Sequence, residues 1–239
     1  MSDIVSYDQQ GAVAVITLNR PESMNSFTTE LRADVVAAFT RARDDNSVRV
    51  IVFTGEGRCF SAGADLKAGI DRDVEEILQT EYRPVQEAIA SVPKPVIAAI
   101  PGSAAGIGMS MALQCDLVLM ADDAFLLSPF TTISLVPDGG LNWLLVRQLG
   151  YRRAFQLSVE SERIPAERCV ELGLANRAVP AVELQSVALE WATSLAQRAP
   201  LSVAATKKVM RHACDHTWEE AYDLEASLQG ELLGTEDNK

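Results

Sequence analysis

The sequence predicts an α/β fold with a parallel sheet layer. Three observations carry that expectation. Residues 12–54 read as strand, helix, strand; a short apolar strand over 96–100 runs into glycines and then into helical spacing; and the last hundred residues are almost wholly helical in pattern.

Taken in order, residues 12–18 (AVAVITL) are β-branched and apolar and end at Asn19-Arg20-Pro21, a turn composition. Leu31, Val35, Ala38 and Phe39 recur at helical spacing within 28–44, with Ser26 or Thr28 as N-cap. Residues 48–54 (VRVIVFT) form the next strand and break at Gly55-Glu56-Gly57; a right-handed crossover between the two strands is the default. Cys59 to Lys67 reads as a tight loop of small residues, in which Gly63 permits a positive φ. Residues 71–91 are surface helices with apolar spacing at Val74, Ile77, Leu78, Val85 and Ile89, and their acidic run reads as a solvated face. After the strand at 96–100 the small residues of Gly102 to Gly108 lead into a helix, an arrangement that leaves backbone N–H groups free beside a cleft. Helices follow over 141–149, 151–160, 165–172, 182–198, 201–214 and 217–233, with a short strand at 175–179. Pro200 stands at a natural helix start.

Composition bounds the function. The 239 residues, 48% hydrophobic and 23% charged, suffice for one well-buried domain with a small appended subdomain. A net charge of −12 argues against nucleic acid, because duplex phosphates require a basic face. A smaller anion remains possible at Arg20, Arg58 or Lys67, although a solvated side chain is the ordinary reading of each. No apolar run approaches the ~20 residues of a membrane span, and no leader pattern opens the chain, so a cytoplasmic protein without a membrane partner is expected. Cysteines 59, 115, 169 and 214 form no CxxC pair, which points to buried apolar thiols rather than a zinc site or disulfide scaffold.

Several fragments then gain meaning together: Asn19-Arg20-Pro21, Phe60-Ser-Ala-Gly-Ala-Asp-Leu, Lys94-Pro-Val-Ile-Ala-Ala, Gly102-x-Ala-x-Gly-x-Gly, Cys115-Asp116 and Val136-Pro137-x-Gly139-Gly140. In that order and spacing the chain resembles the enoyl-CoA hydratase/isomerase family, the crotonase superfamily, over residues 3–235. The resemblance implies a spiral core of β-β-α repeats over residues 1–190, and a helical region over 191–239 that mediates trimerisation, often as a dimer of trimers. It implies an acyl-CoA thioester as substrate and no separate cofactor or metal. It also implies an oxyanion hole made by the backbone N–H groups of Ala64 and Ile107, which suits an enolate because preorganised donors need no titration.

The catalytic side chains depart from the hydratases. Hydratases of this type carry two water-activating glutamates, whose matching positions here are Ser110 and Phe130. Neither is a carboxylate, so water addition by the two-glutamate mechanism is not expected. Asp138 compensates, matching the position at which several isomerase branches and the 4-chlorobenzoyl-CoA dehalogenases place a carboxylate facing the acyl chain. The stretch from Ile133 to Trp143 looks most like the isomerase branch. The resemblance further implies CoA contacts at Ala62, Asp65 and Leu66, with Met24 and Phe27 nearby and Lys67 and Arg20 as phosphate candidates. It implies an acyl pocket of Phe130, Leu126, Leu141 and Trp143, with Ser110 at its edge. The family's final basic, aromatic tail has no counterpart in the sequence up to Lys239.

Residue patterns of other enzyme classes are incomplete in this chain. Gly108-Met-Ser110-Met-Ala112 is one residue short of a nucleophile elbow, but Ser110 lies ten residues past the strand and inside the expected helix. His212 and His216 are spaced i, i+4 but lack the glutamate of HExxH. A nucleophilic Asp138 would want a histidine partner, and the chain has two, both near its C-terminus. A catalytically silent acyl-CoA binder and a residual hydratase complete the alternatives.

Overall fold

The computed structural model describes residues 3–65 and 72–235. Strand β1 (Val5–Gln10) pairs antiparallel with β2 (Val13–Leu18), and β2 continues through a parallel sheet of β3 (Val50–Gly55), β5 (Val96–Ile100), β7 (Leu117–Ala121) and β10 (Arg177–Val179). A smaller sheet joins β4 (Cys59–Ser61), β6 (Ser103–Ala105) and β8 (Phe125–Leu127) in parallel, with β9 (Ile164–Pro165) antiparallel at its edge. β3, β5 and β7 are each followed at once by a short strand of the second sheet, and then by helix. This is the expected spiral of β-β-α turns.

The inner strands β2, β3, β5 and β7 are apolar runs because both faces of the larger sheet are covered there. Ile51 and Phe53 of β3 face the main core with α1 (Thr29–Asp44), whereas Val50 and Val52 face Leu184, Ala188 and Ala192 of α8 (Leu184–Ala196). Helix α1 begins where Thr28 accepts a hydrogen bond from Leu31 N–H, so Thr28 rather than Ser26 is the cap. Helices α5 (Leu141–Leu149), α6 (Tyr151–Glu160), α7 (Ala166–Leu172), α9 (Pro200–Ala213) and α10 (Trp218–Leu232) follow the sequence expectations closely.

Several expectations are corrected. Cys59–Ser61 is strand, not loop, because its backbone pairs with β6. Residues 5–10, 103–105, 117–121 and 125–127 are strands that the sequence reading left unassigned. Residue 190 falls inside α8, which packs on the sheet through Leu184, Ala188 and Ala192. Among the thiols Cys214 is exposed; the other three are buried.

The stretch after Arg72 is one helical rod: α2 (Val74–Ile77), a π-turn at Leu78–Tyr82 and α3 (Arg83–Ser91). Its acidic run is not wholly solvated. Glu81 is held by Arg32 and Arg72 and is mostly shielded from solvent. Among the described residues no helix is long and apolar enough to cross a membrane.

Candidate active site

Two glycine turns meet at the seam between the sheets. Phe27 N–H donates to Gly63 O (2.8 Å) and Asp65 N–H to Phe27 O (3.2 Å), a parallel bridge that pins both sides of Ala64. The Ala64 N–H points away from that bridge and meets no acceptor among the described residues. On the other turn, Gly106 N–H is bonded to Leu127 O at 3.0 Å, and Ile107 is the first residue of α4 (Ile107–Gln114). The Ile107 N–H therefore has no intrahelical partner.

The turns touch. Gly63 and Gly106 have φ of +99° and +54°; a Cβ on Gly63 would lie 3.0 Å from Ala105 O and 3.5 Å from Ile107 N, and one on Gly106 3.9 Å from Gly63 Cα. Glycine is required because positive φ and close backbone approach coincide. The result is two free peptide donors on adjacent turns, one of them at a helix N-terminus where the partial positive charge favours an anion.

Asp138 adjoins Gly139, which packs on the first turn of α4. It follows a 3-10 turn at Phe130–Ile133 and precedes α5, with its carbonyl accepting from Leu141 N–H (3.1 Å). Its neighbour Gly139, φ +61°, is pressed against α4: a Cβ there would be 2.8 Å from Ile107 Cγ1 and 3.0 Å from Ser110 Oγ. The Asp138 Oδ1 atom is buried without a hydrogen-bond partner among the described residues. Burial pushes the Asp138 carboxyl up to about 6, with a backbone hydrogen bond opposing. A carboxylate poised there can take or give a proton near neutral pH.

The residues around Asp138 are held from three sides. Ser110 Oγ donates to Gly139 O, and Gln86 Nε2 donates to Gly139 O (2.8 Å) and Ser110 Oγ (2.9 Å). Tyr82, one turn before Gln86, is buried against Phe27 (ring centroids 6.4 Å apart), with Arg32 4.3 Å over its ring. Burial raises the Tyr82 phenol; the Arg32 charge opposes this and the Asp138 charge adds to it. Phe130 is buried, its Cζ 3.8 Å from where a Gly106 Cβ would stand, and forms an aromatic wall beside that turn. Ser110 is fully buried inside α4 with its hydroxyl spent on Gly139, which removes it as an elbow nucleophile.

Other expected site residues divide. Ala62 N–H is bonded to Met24 O (2.9 Å), and Met24 is left-handed and exposed beside this loop. Asp65 accepts from Ser26 Oγ and Arg20 Nη1, both at 3.1 Å, and Arg20 also donates to Ser26 O (2.6 Å). Arg20 is therefore engaged in holding the Ala62–Asp65 loop, and a phosphate would have to compete with Asp65 for it. Leu66 and Lys67 lie outside the described residues. Leu126 and Leu141 are core residues. Trp143 is displaced from the expected pocket: it lies half exposed on α5, stacked by Arg147 (5.6 Å), and lines a groove beneath α9 with Leu113, Met210 and Cys214. Helix periodicity is the reason, since Leu141, Leu144 and Leu145 take the inward face.

His212 on α9 and His216, just past the end of that helix, stack with ring centroids 3.5 Å apart, and no cluster of metal-ligating residues occurs among the described residues.

The matching family model, enoyl-CoA hydratase/isomerase, spans residues 8–239. The chain belongs to the enoyl-CoA hydratase/isomerase family. It is 40% identical over 230 residues to a probable enoyl-CoA hydratase of Rhodobacter capsulatus, covering 95% of this chain and 89% of that one. It is 34% identical over 235 residues to the 1,2-epoxyphenylacetyl-CoA isomerase of Escherichia coli, covering 96% and 89%. A solved enoyl-CoA hydratase from a Polaromonas species superposes with a TM-score of 0.91 at 34% identity, over 96% of this chain and 91% of that one. The family, an acyl-CoA-processing enzyme class, thus includes relatives named for water addition and for isomerisation.

The sequence reading missed Gln86, Tyr82 and the Arg32–Glu81 pair. One signal was present: Tyr82 and Gln86 are four residues apart on the stripe that also carries Val85 and Ile89, and a glutamine on an apolar stripe is buried for a reason.

Proposed function

We propose that this family member is an enoyl-CoA isomerase that shifts a double bond with Asp138 as its single proton carrier. The observation that carries this reading is the lone buried Asp138 Oδ1 beside the two free N–H groups, while the hydratase carboxylate positions are a committed serine and a phenylalanine.

The thioester carbonyl of a 3-enoyl-CoA accepts hydrogen bonds from Ala64 and Ile107 N–H. Asp138 removes a proton from C2, the electron pair moves onto the carbonyl oxygen as a dienolate, and the same carboxyl returns the proton at C4. Each preorganised donor to such an oxyanion is worth ~3 kcal/mol of barrier. One carboxyl suffices because the proton lost at C2 is the proton gained at C4. Hydration would need a second group to hold water. Ala62, Asp65 and Met24, with Leu66, Lys67 and Arg20, form the proposed CoA contacts; Phe130 walls the acyl side.

The exposed apolar residues of the terminal helices, including Leu201, Met210, Trp218 and Tyr222, support assembly as a homotrimer or dimer of trimers.

The test is a panel of 2-enoyl-, 3-enoyl- and dienoyl-CoA substrates read by mass spectrometry. Conversion of 3-enoyl to 2-enoyl without mass change, abolished in Asp138→Asn with CoA affinity within a few-fold, is expected. A gain of one water as the main product, or turnover retained by Asp138→Asn, would overturn the assignment.

A further inference from the structure

We infer that Gln86 is a positioning residue that holds the Asp138–Gly139 turn against α4 through the Gly139 carbonyl, together with Ser110. This rests on Asp138 being the proton carrier.

Gln86 is buried, and its orientation is fixed by chemistry: the Gly139 carbonyl can only accept, so the amide nitrogen must face it, at 2.8 Å. The same nitrogen donates to Ser110 Oγ at 2.9 Å, and Ser110 Oγ donates in turn to Gly139 O. Two side chains from two helices therefore converge on one peptide oxygen, that of the Gly139–Gly140 peptide, one residue after Asp138.

That peptide needs an external clamp. Gly139 and the following Gly140 both have positive φ, +61° and +81°, and glycine supplies no side chain to restrain them. A Cβ on Gly139 would lie 2.8 Å from Ile107 Cγ1, so only glycine lets the turn sit this close to α4 for the hydrogen bonds to form.

The orientation has a liability. The Gln86 Oε1 atom is buried with no donor among the described residues. A side chain needed for packing alone would be better served by leucine or methionine at this position, because an orphaned amide oxygen destabilises the fold. The π-turn at Leu78–Tyr82 immediately precedes this stretch; such turns re-phase a helix, and here Tyr82 and Gln86 both fall on the side that faces the Asp138 turn.

The experiment compares wild type with Gln86→Met, which keeps the volume and removes the donor, Ser110→Ala, the double variant and Asp138→Asn. Turnover is followed with the 3-enoyl-CoA that reacts fastest. Misplacing a reacting group by about an ångström costs on the order of 100-fold, so kcat of Gln86→Met is expected to fall about 10- to 100-fold with KM within about 3-fold. The losses of the two single variants should not simply multiply in the double variant, since both donors act on one oxygen. A Gln86→Met kcat within about 3-fold of wild type, a loss shared equally by KM, or independent multiplicative losses in the double variant would each overturn the inference. If Gln86→Met does not fold, Ser110→Ala decides: a loss in kcat alone supports the clamp and a wild-type kcat overturns it. An active Asp138→Asn removes the base assignment and this inference together, whereas an inactive Asp138→Asn beside an unaffected Gln86→Met removes this inference only.

Discussion

Substituting Asn for Asp138 is expected to stabilise the protein while silencing it, and the size of the gain depends on pH. The carboxyl is pushed from its ordinary value of 3.8 up to about 6 by burial. Its folded form therefore binds the proton more tightly than the unfolded chain does, and ionisation works against folding. Below the unfolded value, near pH 4, both states are protonated and nothing is lost. As pH rises towards 6 the wild type loses stability, and above 6 the loss is complete. The interval from 3.8 to about 6 corresponds to ~3 kcal/mol at full strength. The site is partly open to solvent, which we allow to halve that figure, leaving ~1.5 kcal/mol at pH 7.5 and ~0.5 kcal/mol at pH 4.5. Asparagine is near the protonated carboxyl in size and polarity and carries no charge to desolvate. Denaturant titrations of wild type and Asp138→Asn at both pH values, at one protein concentration because any self-association would add to apparent stability, measure the difference. A variant no more stable than wild type at pH 7.5, or one whose gain is the same at both pH values, would refute the burial argument.

Two further perturbations test the frame around the site. Gly108→Ala would place a Cβ 2.7 Å from Ser61 O, so β4 and α4 must separate; we expect a kcat loss of at least about 10-fold as the two donor turns move apart, measured by steady-state kinetics. Glu81→Gln leaves Arg32 with a neutral partner under the Phe27–Tyr82 pair and is expected to destabilise by ~3 kcal/mol in denaturant titration, with the loss smaller in an Arg32→Met/Glu81→Leu double variant.

The parts of the fold legible in the sequence were those with their own periodicity. The strand at β3 and the helices α5 and α6 announced themselves because burial on two faces or on one stripe writes a repeating pattern. The three-residue strands β4, β6 and β8 did not, since each is too short for a period and exists only by pairing with the next turn of the spiral. The same reasoning separates the site residues. Gly63 and Gly106 were readable because a positive φ admits little but glycine. Trp143 was misplaced because its direction depends on which face of α5 meets the core.

By itself the sequence determined the family and the two glycine turns that carry the free N–H groups, and it placed Ser110 and Phe130 where the family resemblance expects the hydratase glutamates, leaving Asp138 as the proposed acid. These are matters of residue identity at a given place in the chain. Only the tertiary structure decided that Gln86, 52 positions before Asp138, reaches the peptide beside it, that Arg20 is occupied by Asp65, and that burial lifts the Asp138 carboxyl towards neutrality. Hydrogen bonding and desolvation depend on what packs across from a residue, and that is settled only when distant elements of the spiral close on one another.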